Sequence, residues 1–237
     1  MQITVLGLEL RLDVTPKQLT EILAWSVVTS CVALGVQSTG KALKAGKERG
    51  GTYKSTSLVT GWKAYLTPAH AMLGAITVLA PVILAPWRGF HTPILPNRFA
   101  LPLPYGGDVH PHTWVEARLI SGTILCGLAT YLTRTAMSTL GAAFDTIHVR
   151  QNTKSVIETG PFAHIRHPVY ASILLKPIGL AALYWNALPA YAAILIGCIL
   201  AVKIDIEEQI LLDDPDLGEQ YRYYQKRVPY KLIPYIY

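Results

Sequence analysis

Five long apolar stretches constrain this chain more than any other feature of its sequence. A helix needs about 20 mostly apolar residues to cross a bilayer, because lipid offers no partners for unpaired backbone groups. A Trp-Asn tip alone separates the last two stretches, which predicts a tight helical hairpin. We therefore predict an all-α polytopic membrane protein with about five transmembrane helices. The stretches run from about Leu19 to Val36, Thr67 to Pro86, Val115 to Met137, Val169 to Tyr184 and Ala187 to Ile204.

The composition agrees with a bilayer as the solvent. Of 237 residues, 51% are hydrophobic and 15% are charged, against roughly 25% charged in an ordinary soluble domain. This composition excludes a disordered chain, a coiled coil and a disulfide-stapled secreted module. The formal net charge of +6 is spread between the apolar stretches rather than forming one basic face. Membrane lipid is therefore the expected partner of these cations, and no nucleic acid is expected.

Basic residues predict the orientation, because Lys and Arg in short loops stay on the cytosolic side. The proline-rich segment from Trp87 to Trp114 holds only Arg88 and Arg98, so we expect it on the opposite side. By alternation, the connection from Arg134 to Pro168 and the tail after Lys203 face the cytosol. Six basic residues lie between the first two stretches: Lys41, Lys44, Lys47, Arg49, Lys54 and Lys63.

Polar residues stand at both ends of the hairpin. An unusually polar run, Gly160 to Tyr170, contains Arg166 and His167 and leads directly into the fourth stretch. The fifth stretch is followed by Glu207 and Glu208. Because the two spans are of similar length, the hairpin should return both carboxylates to the level of the arginine and the histidine. A helix N-terminus at Pro168 would also favour anionic groups there.

The tail after the hairpin predicts a short amphipathic helix. Leu217, Tyr221 and Tyr224 recur on one helical face, and the pattern ends before Val228-Pro229. We expect this helix to lie on the cytosolic surface and to cover the polar cluster. The two tyrosines are equally compatible with packing and with contacts to a bound molecule.

Taken together, these motifs resemble the isoprenylcysteine carboxyl methyltransferase family. The similarity covers about the last 95 residues, with the motifs in the family's order and a helical hairpin between them. The motifs are Phe144 with His148-Val149-x-Gln151-Asn152-x-Lys154-Ser155, Gly160-Pro-Phe-x-x-x-Arg166-His167-Pro168-x-Tyr170, Glu207-Glu208-x-x-Leu211, and Leu217-Gly218-x-x-Tyr221-x-x-Tyr224-x-x-x-Val228-Pro229.

The resemblance implies an enzyme that transfers a methyl group from S-adenosyl-L-methionine to the carboxylate of a prenylated cysteine, at a protein C-terminus or in a small lipophilic acceptor. It implies residues 144–237 as the catalytic region and residues 1–143 as N-terminal transmembrane helices and loops. If the source is eukaryotic, it implies the endoplasmic reticulum membrane, with the active site facing the cytosol. The catalytic residues implied are Arg166 and Glu208, and the cofactor-binding residues are His148, Gln151, Lys154, Gly160, His164, His167, Tyr170, Glu207 and Glu208.

The chain departs from the family's pattern at three points. Ser172 stands where the family usually has Gly, two residues after the motif Tyr170. The spacing between the His148 string and Gly160 is about two residues shorter than in the family. The family's usual His in that interval has no counterpart, and Lys154 lies nearest the gap and is the substitute cation for the cofactor's carboxylate.

The chemistry suits these residue types. Methyl transfer to a carboxylate needs no general base, because the nucleophile is already ionised at neutral pH. The enzyme must instead hold a charged donor and a lipid-anchored acceptor in line, with water excluded. Arginine can grip a carboxylate through two parallel hydrogen bonds, so Arg166 is the expected acceptor-binding residue.

Other interpretations remain open at this point. Arg166 and His167 could be interfacial anchors beside lipid phosphates, and Lys176 within the fourth stretch could snorkel or line a polar cavity. No metal is expected, since His164 and His167 lack a third fixed ligand. A membrane lipid or sterol reductase using NADPH is the alternative enzyme, and a non-catalytic scaffold is the third possibility.

Overall fold

The computed structural model describes residues 2–5, 8–11, 14–50, 59–90, 95–102, 111–143 and 155–237. Within these ranges the chain is mainly α-helical, as predicted. Two short strands, β1 (Gln2–Val5) and β2 (Leu8–Arg11), were not expected and form an antiparallel hairpin that pairs Gln2 with Arg11. The helices are α1 (Pro16–Arg49), α2 (Leu66–Trp87), α3 (Pro111–Leu140), α4 (Pro168–Tyr184), α5 (Ala187–Leu212) and α6 (Gly218–Arg227).

Four stretches are long and apolar enough to cross a membrane by length and composition: Pro16–Arg49, Gly61–Trp87, Thr113–Ala143 and Ala187–Leu212. The fourth apolar stretch of the sequence forms α4, which has 17 residues and rises about 25 Å. It is apolar but shorter than the other four. The all-α, polytopic architecture is therefore confirmed for the described part of the chain.

Helix α1 is longer than its apolar stretch predicted. Its N-terminus is fixed by a capping box, in which the side chains of Thr15 and Gln18 each accept a hydrogen bond from the other's backbone N–H. The helix continues to Arg49 and ends at Gly50, which has a positive φ of 66°. Its 34 residues span about 51 Å, so the basic end, with Lys44 and Lys47, extends beyond an apolar layer of about 30 Å.

Helices α3 and α4 pack closely because small residues lie where their backbones cross. A Cβ on Gly122 would stand 2.5 Å from the Leu183 Cα, and a Cβ on Gly179 would stand 2.8 Å from the Cys126 Sγ. Small residues that let backbones approach are typical of helix pairs in membranes. These two close approaches hold the C-terminal half of α4 against α3, and the hydrogen bond from Thr133 to Ser172 joins the same helices near the start of α4.

The hairpin between α4 and α5 turns at Trp185, which has a left-handed φ of 48°. The Asn186 side chain caps α5 by accepting from the Leu188 N–H at 3.0 Å. Residues of the proline-rich segment cover this tip: Pro102 O accepts from Trp185 Nε1 at 3.1 Å, and Pro96 O accepts from Asn186 Nδ2 at 3.1 Å. The tip therefore marks one end of the bundle, and the start of α4 and the end of α5 meet at the other.

Candidate functional site

The polar run before α4 is held in place by a short 3-10 turn, Gly160–Ala163. Gly160 has a positive φ of 59°, and a Cβ there would lie 2.7 Å from Thr139 Oγ1 in α3. Glycine is therefore required both by its backbone conformation and by the close approach to α3. Pro168 then begins α4, where its missing N–H leaves no hydrogen bond unmade.

The segment after α6 returns to this run and pairs with it through the backbone. The Arg166 N–H donates to Tyr230 O and the His167 N–H donates to Lys231 O, both at 2.9 Å. Two consecutive residues at the start of α4 are thus fixed by two consecutive residues of the tail. Their side chains are left to face the end of α5.

Glu208 accepts hydrogen bonds from several directions. Arg166 donates through Nε to Oε1 at 2.7 Å and through Nη2 to Oε2 at 3.3 Å. His167 Nε2 lies 3.0 Å from Oε1, the Tyr221 hydroxyl donates to Oε1 at 3.2 Å, and Gln225 Nε2 donates to Oε2 at 3.1 Å. Glu208 as a whole residue is only 6% exposed, and these donors offset the lost hydration of its carboxylate.

Most hydrogen-bond donors of Arg166 are also used within the protein. Besides the two hydrogen bonds to Glu208, its Nη1 donates to Val228 O at 2.7 Å. Burial lowers the pKa of the guanidinium, but the hydrogen bond and charge of Glu208 outweigh burial, so the pKa stands above its ordinary value. A guanidinium has five N–H donors, and two of those of Arg166 have no acceptor among the described residues.

Glu207, the neighbour of Glu208 in α5, faces a different set of residues. The Tyr170 hydroxyl donates to Glu207 Oε1 at 2.5 Å, and Lys203 Nζ lies 3.6 Å from the same oxygen. The basic nitrogen recorded closest to Oε2 among the described residues is His167 Nδ1, at 4.0 Å. The His167 ring stacks on Tyr170 with centroids 5.6 Å apart. Glu207 Oε1 therefore already accepts a hydrogen bond, while Oε2 accepts none from the described residues and can accept one from a ligand.

Helix α6 covers the cluster, as the sequence predicted. Tyr221 and Tyr224 are 3% and 2% exposed, and the Tyr224 hydroxyl donates to Phe162 O at 2.7 Å. Burial raises the pKa of the Tyr221 phenol, and the charge of Glu208 raises it further. The Tyr221 phenol therefore keeps its proton and serves as a donor to Glu208.

An apolar cavity of about 630 Å³ begins beside this cluster and runs between α1, α2 and α4. At the cluster end it is lined by His70, whose ring packs edge-on against Tyr170 with centroids 6.3 Å apart. Small residues such as Gly35 and Gly74 leave the space open, and Lys176 of α4 also lines it. A polar site and an apolar cavity therefore share one wall.

The structure brings together five of the residues that the sequence predicted for the site. These are Arg166, His167, Tyr170, Glu207 and Glu208, all linked through the contacts given above. Gly160 lies in the turn that positions them. His164 is exposed, and its side chain has no contact with the cluster in the part of the chain that is described. The predicted residues His148, Gln151 and Lys154 lie outside the described residues.

Four contributors to the site were not predicted from the sequence. Lys203 carried a signal, because it precedes Glu207 by four residues on one helical face. Gln225 carried a weaker signal, since it follows Tyr221 by four residues and therefore lies on the same face of α6. His70 is an ionisable residue within an apolar stretch, which favours a functional position. Lys231, whose Nζ lies 4.0 Å from Glu208 Oε2 and 2.6 Å from Asp205 Oδ1, carried none.

Ser172, the departure from the family's glycine, faces α3 rather than the cluster. It is fully buried, its hydroxyl donates to Val169 O at 2.7 Å, and it accepts from Thr133 Oγ1 at 2.9 Å. Its polar atom is therefore satisfied within the packing of the α3 and α4 pair.

Comparison with known proteins identifies the region that carries the site. Residues 122–213 match the family model described as the isoprenylcysteine carboxyl methyltransferase (ICMT) family. The match contains Gly160, Arg166, His167, Tyr170, Glu207 and Glu208, and it ends before α6. No curated protein sequence matches the chain. The resemblance seen in the motifs is therefore confirmed over this stretch, and it supports a methyltransferase in an integral membrane protein.

Proposed function

We propose that the protein is an S-adenosyl-L-methionine-dependent carboxyl O-methyltransferase that esterifies a prenylated cysteine or a related lipophilic acceptor. One observation carries the proposal: a buried cluster of charged and hydrogen-bonding side chains adjoins a large apolar cavity, with Tyr170 and His70 between them. A charged donor molecule and an apolar acceptor need such a pair of adjacent compartments.

The residues present fit the methyl donor. It carries an ammonium group and a ribose diol, which donate hydrogen bonds, and a carboxylate, which accepts them. Glu207 Oε2 has no hydrogen-bond partner among the described residues and is suited to the donating groups. Lys231 and His167 lie within the same cluster and are suited to the carboxylate. When bound, the donor supplies an electrophilic methyl group on a positively charged sulfur.

The protein's own part in the reaction is placement and exclusion of water. A carboxylate acceptor is ionised at neutral pH, so no side chain has to remove a proton from it. The two uncommitted donors of Arg166 are suited to one carboxylate oxygen, which leaves the other oxygen free to attack. Helix α6 covers the cluster and limits the approach of water.

We infer that the site faces the cytosol. The basic C-terminal end of α1 and the cluster lie at the same end of the bundle, opposite the hairpin tip, and basic residues favour the cytosolic side. In a eukaryote the expected membrane is the endoplasmic reticulum. Residues 144–237 as the catalytic region, and His148, Gln151, Lys154 and His164 as cofactor-binding residues, stay predictions.

The first test is binding of S-adenosylhomocysteine to the purified full chain in lipid nanodiscs, measured by isothermal titration calorimetry. We expect saturable binding that is about tenfold weaker in Glu207→Gln, because the variant loses a charge-assisted hydrogen bond. The matched control is Glu48→Gln, which makes the same chemical change at an exposed position of α1. It should bind as the wild type does.

The same sample then receives NADPH and, separately, a farnesylated cysteine with radiolabelled methyl donor. Methyl ester formation on the cysteine would establish the acceptor class. Binding of NADPH without binding of S-adenosylhomocysteine would overturn the proposal in favour of a membrane reductase. Equal affinity for S-adenosylhomocysteine in Glu207→Gln and Glu48→Gln would remove Glu207 from the donor site.

A further inference from the structure

Lys176 lies within the apolar cavity and belongs to no part of the polar cluster. It is the central residue of α4, eight residues from Pro168 and eight from Tyr184. Its ammonium points toward α1, since a Cβ on Gly35 would lie 3.8 Å from Lys176 Nζ. Each end of α4 is about 12 Å away along the helix axis. The side chain is therefore attached midway along α4 and reaches the wall of the cavity that α1 forms.

The ammonium has no acidic partner in the described part of the chain. The other described residues that line the cavity include two cysteines and a histidine but no aspartate or glutamate. Lys203 differs, because it is paired with Glu207 and lies over the Tyr170 ring. A cation left unpaired within the apolar part of a membrane protein is costly, and such residues are typically functional.

Two polar groups on the α2 side of the cavity are bonded to the backbone of their own helix. Thr77 Oγ1 donates to Leu73 O at 2.7 Å, and His70 Nδ1 lies 2.9 Å from Leu66 O. The remaining wall is formed mainly by aliphatic and small side chains. Among the described residues that line the cavity, Lys176 is the only lysine, arginine, aspartate or glutamate.

We propose that Lys176 sets the acceptor specificity of the cavity by donating a hydrogen bond to an oxygen carried on the acceptor's lipophilic chain. The proposal rests on the proposed function and deepens it. The Cα of Lys176 lies about 9 Å farther along the axis of α4 than the Cα of Tyr170, six residues earlier, so the contact is made in the apolar cavity rather than in the cluster. A plain hydrocarbon chain would fill the cavity and leave the ammonium unpaired. A chain with a hydroxyl, carbonyl or carboxylate oxygen at that depth pairs it.

The test uses the full chain in phosphatidylcholine nanodiscs, without a methyl donor. The probes are octadecanoic acid and its positional monohydroxy isomers, and their affinities are read from displacement of a fluorescent fatty acid. In the wild type, we expect one isomer to bind at least about tenfold more tightly than octadecanoic acid, as sites built to hydrogen-bond a hydroxyl discriminate strongly against its absence.

Three variants test whether the ammonium of Lys176 causes that preference. Lys176→Met keeps the apolar length of the side chain and should abolish the preference, while Lys176→Arg keeps a donor and should retain a preference for a hydroxylated isomer. Lys44→Met removes an exposed lysine of α1 that lies outside the cavity, and it should leave the preference unchanged.

Two results would overturn the proposal: equal affinity for every isomer in the wild type, or a preference that survives in Lys176→Met. Binding of S-adenosylhomocysteine to the same nanodiscs separates this failure from failure of the proposed function. If S-adenosylhomocysteine binds but no isomer is preferred, only the role of Lys176 is lost. If an isomer is preferred but S-adenosylhomocysteine does not bind, the cavity site stands and the methyltransferase proposal falls.

Discussion

Two adjacent glutamates in α5 have different surroundings and therefore different expected roles. Successive residues of a helix point about 100° apart, so Glu208 meets Arg166, Tyr221 and Gln225 while Glu207 meets Tyr170 and Lys203. Glu208 is saturated with donors and joins the start of α4 to α6. Glu207 retains an oxygen for a ligand. The first organises the site, and the second is expected to bind.

Arg166 can serve both to organise the site and to bind a ligand. Three of its N–H donors bond to Glu208 and Val228, and the other two have no acceptor among the described residues. Arg166→Lys keeps the positive charge beside Glu208 but loses the planar fork that reaches two acceptors at once. We expect turnover to fall by about 100-fold, as for a misplaced reacting group, with a much smaller loss of S-adenosylhomocysteine affinity. Initial rates of methyl ester formation, together with titration calorimetry, measure both quantities. Equal losses of turnover and affinity would move Arg166 into the donor-binding part of the site.

At the scale of the helices, α3 and α4 form a tightly packed pair beside the hairpin tip. Gly122→Ala places a methyl group against the backbone of Leu183, so α3 and α4 must separate. Overpacking of this kind costs about 1–3 kcal/mol, and the apparent melting temperature of the purified protein should fall.

Gly127→Ala is the matched control for that change. It lies in the same helix, and a Cβ there has no neighbour within 4 Å. The added methyl group should leave stability unchanged or raise it, because alanine favours a helix more than glycine does. If Gly122→Ala and Gly127→Ala melt at the same temperature, the close approach at Gly122 is not a source of stability.

The helices were predictable from the sequence because hydropathy reports burial in lipid directly. Their ends were less so: α1 continues to Arg49 and α5 to Leu212, since a helix can leave the apolar layer while its backbone hydrogen bonds continue. The pairing of Arg166 with Glu208 follows from the hairpin geometry. The contacts from Tyr230 and Lys231 were not predictable, because they are made by backbone atoms of a segment with no motif.

At the scale of the whole molecule, the two ends of the bundle differ in chemistry. One end carries the charged cluster and the basic end of α1, and the other carries the hairpin tip under Pro96 and Pro102. In the orientation that we propose from the distribution of Lys and Arg, the cluster end faces the cytosol. The proposed methyl donor would then reach the site from the cytosol.

Glycosylation mapping in microsomes tests that orientation. An acceptor sequence placed between residues 50 and 60 should remain unmodified, because this connection is expected in the cytosol. The same sequence placed in the Trp87 to Trp114 segment, with a spacer that clears the bilayer, should gain a glycan and a matching shift in electrophoretic mobility. The reverse pattern would invert the topology and place the cluster on the opposite side of the membrane.

The backbone contacts from Tyr230 and Lys231 to the start of α4 set an order of events during synthesis. All five apolar helices precede these two residues in the chain, so they can enter the bilayer while the segment that completes the cluster has yet to be made. Membrane insertion and assembly of the site are therefore separate steps in time. A nascent chain can therefore reach its final topology before the backbone contacts that hold Arg166 and His167 have formed.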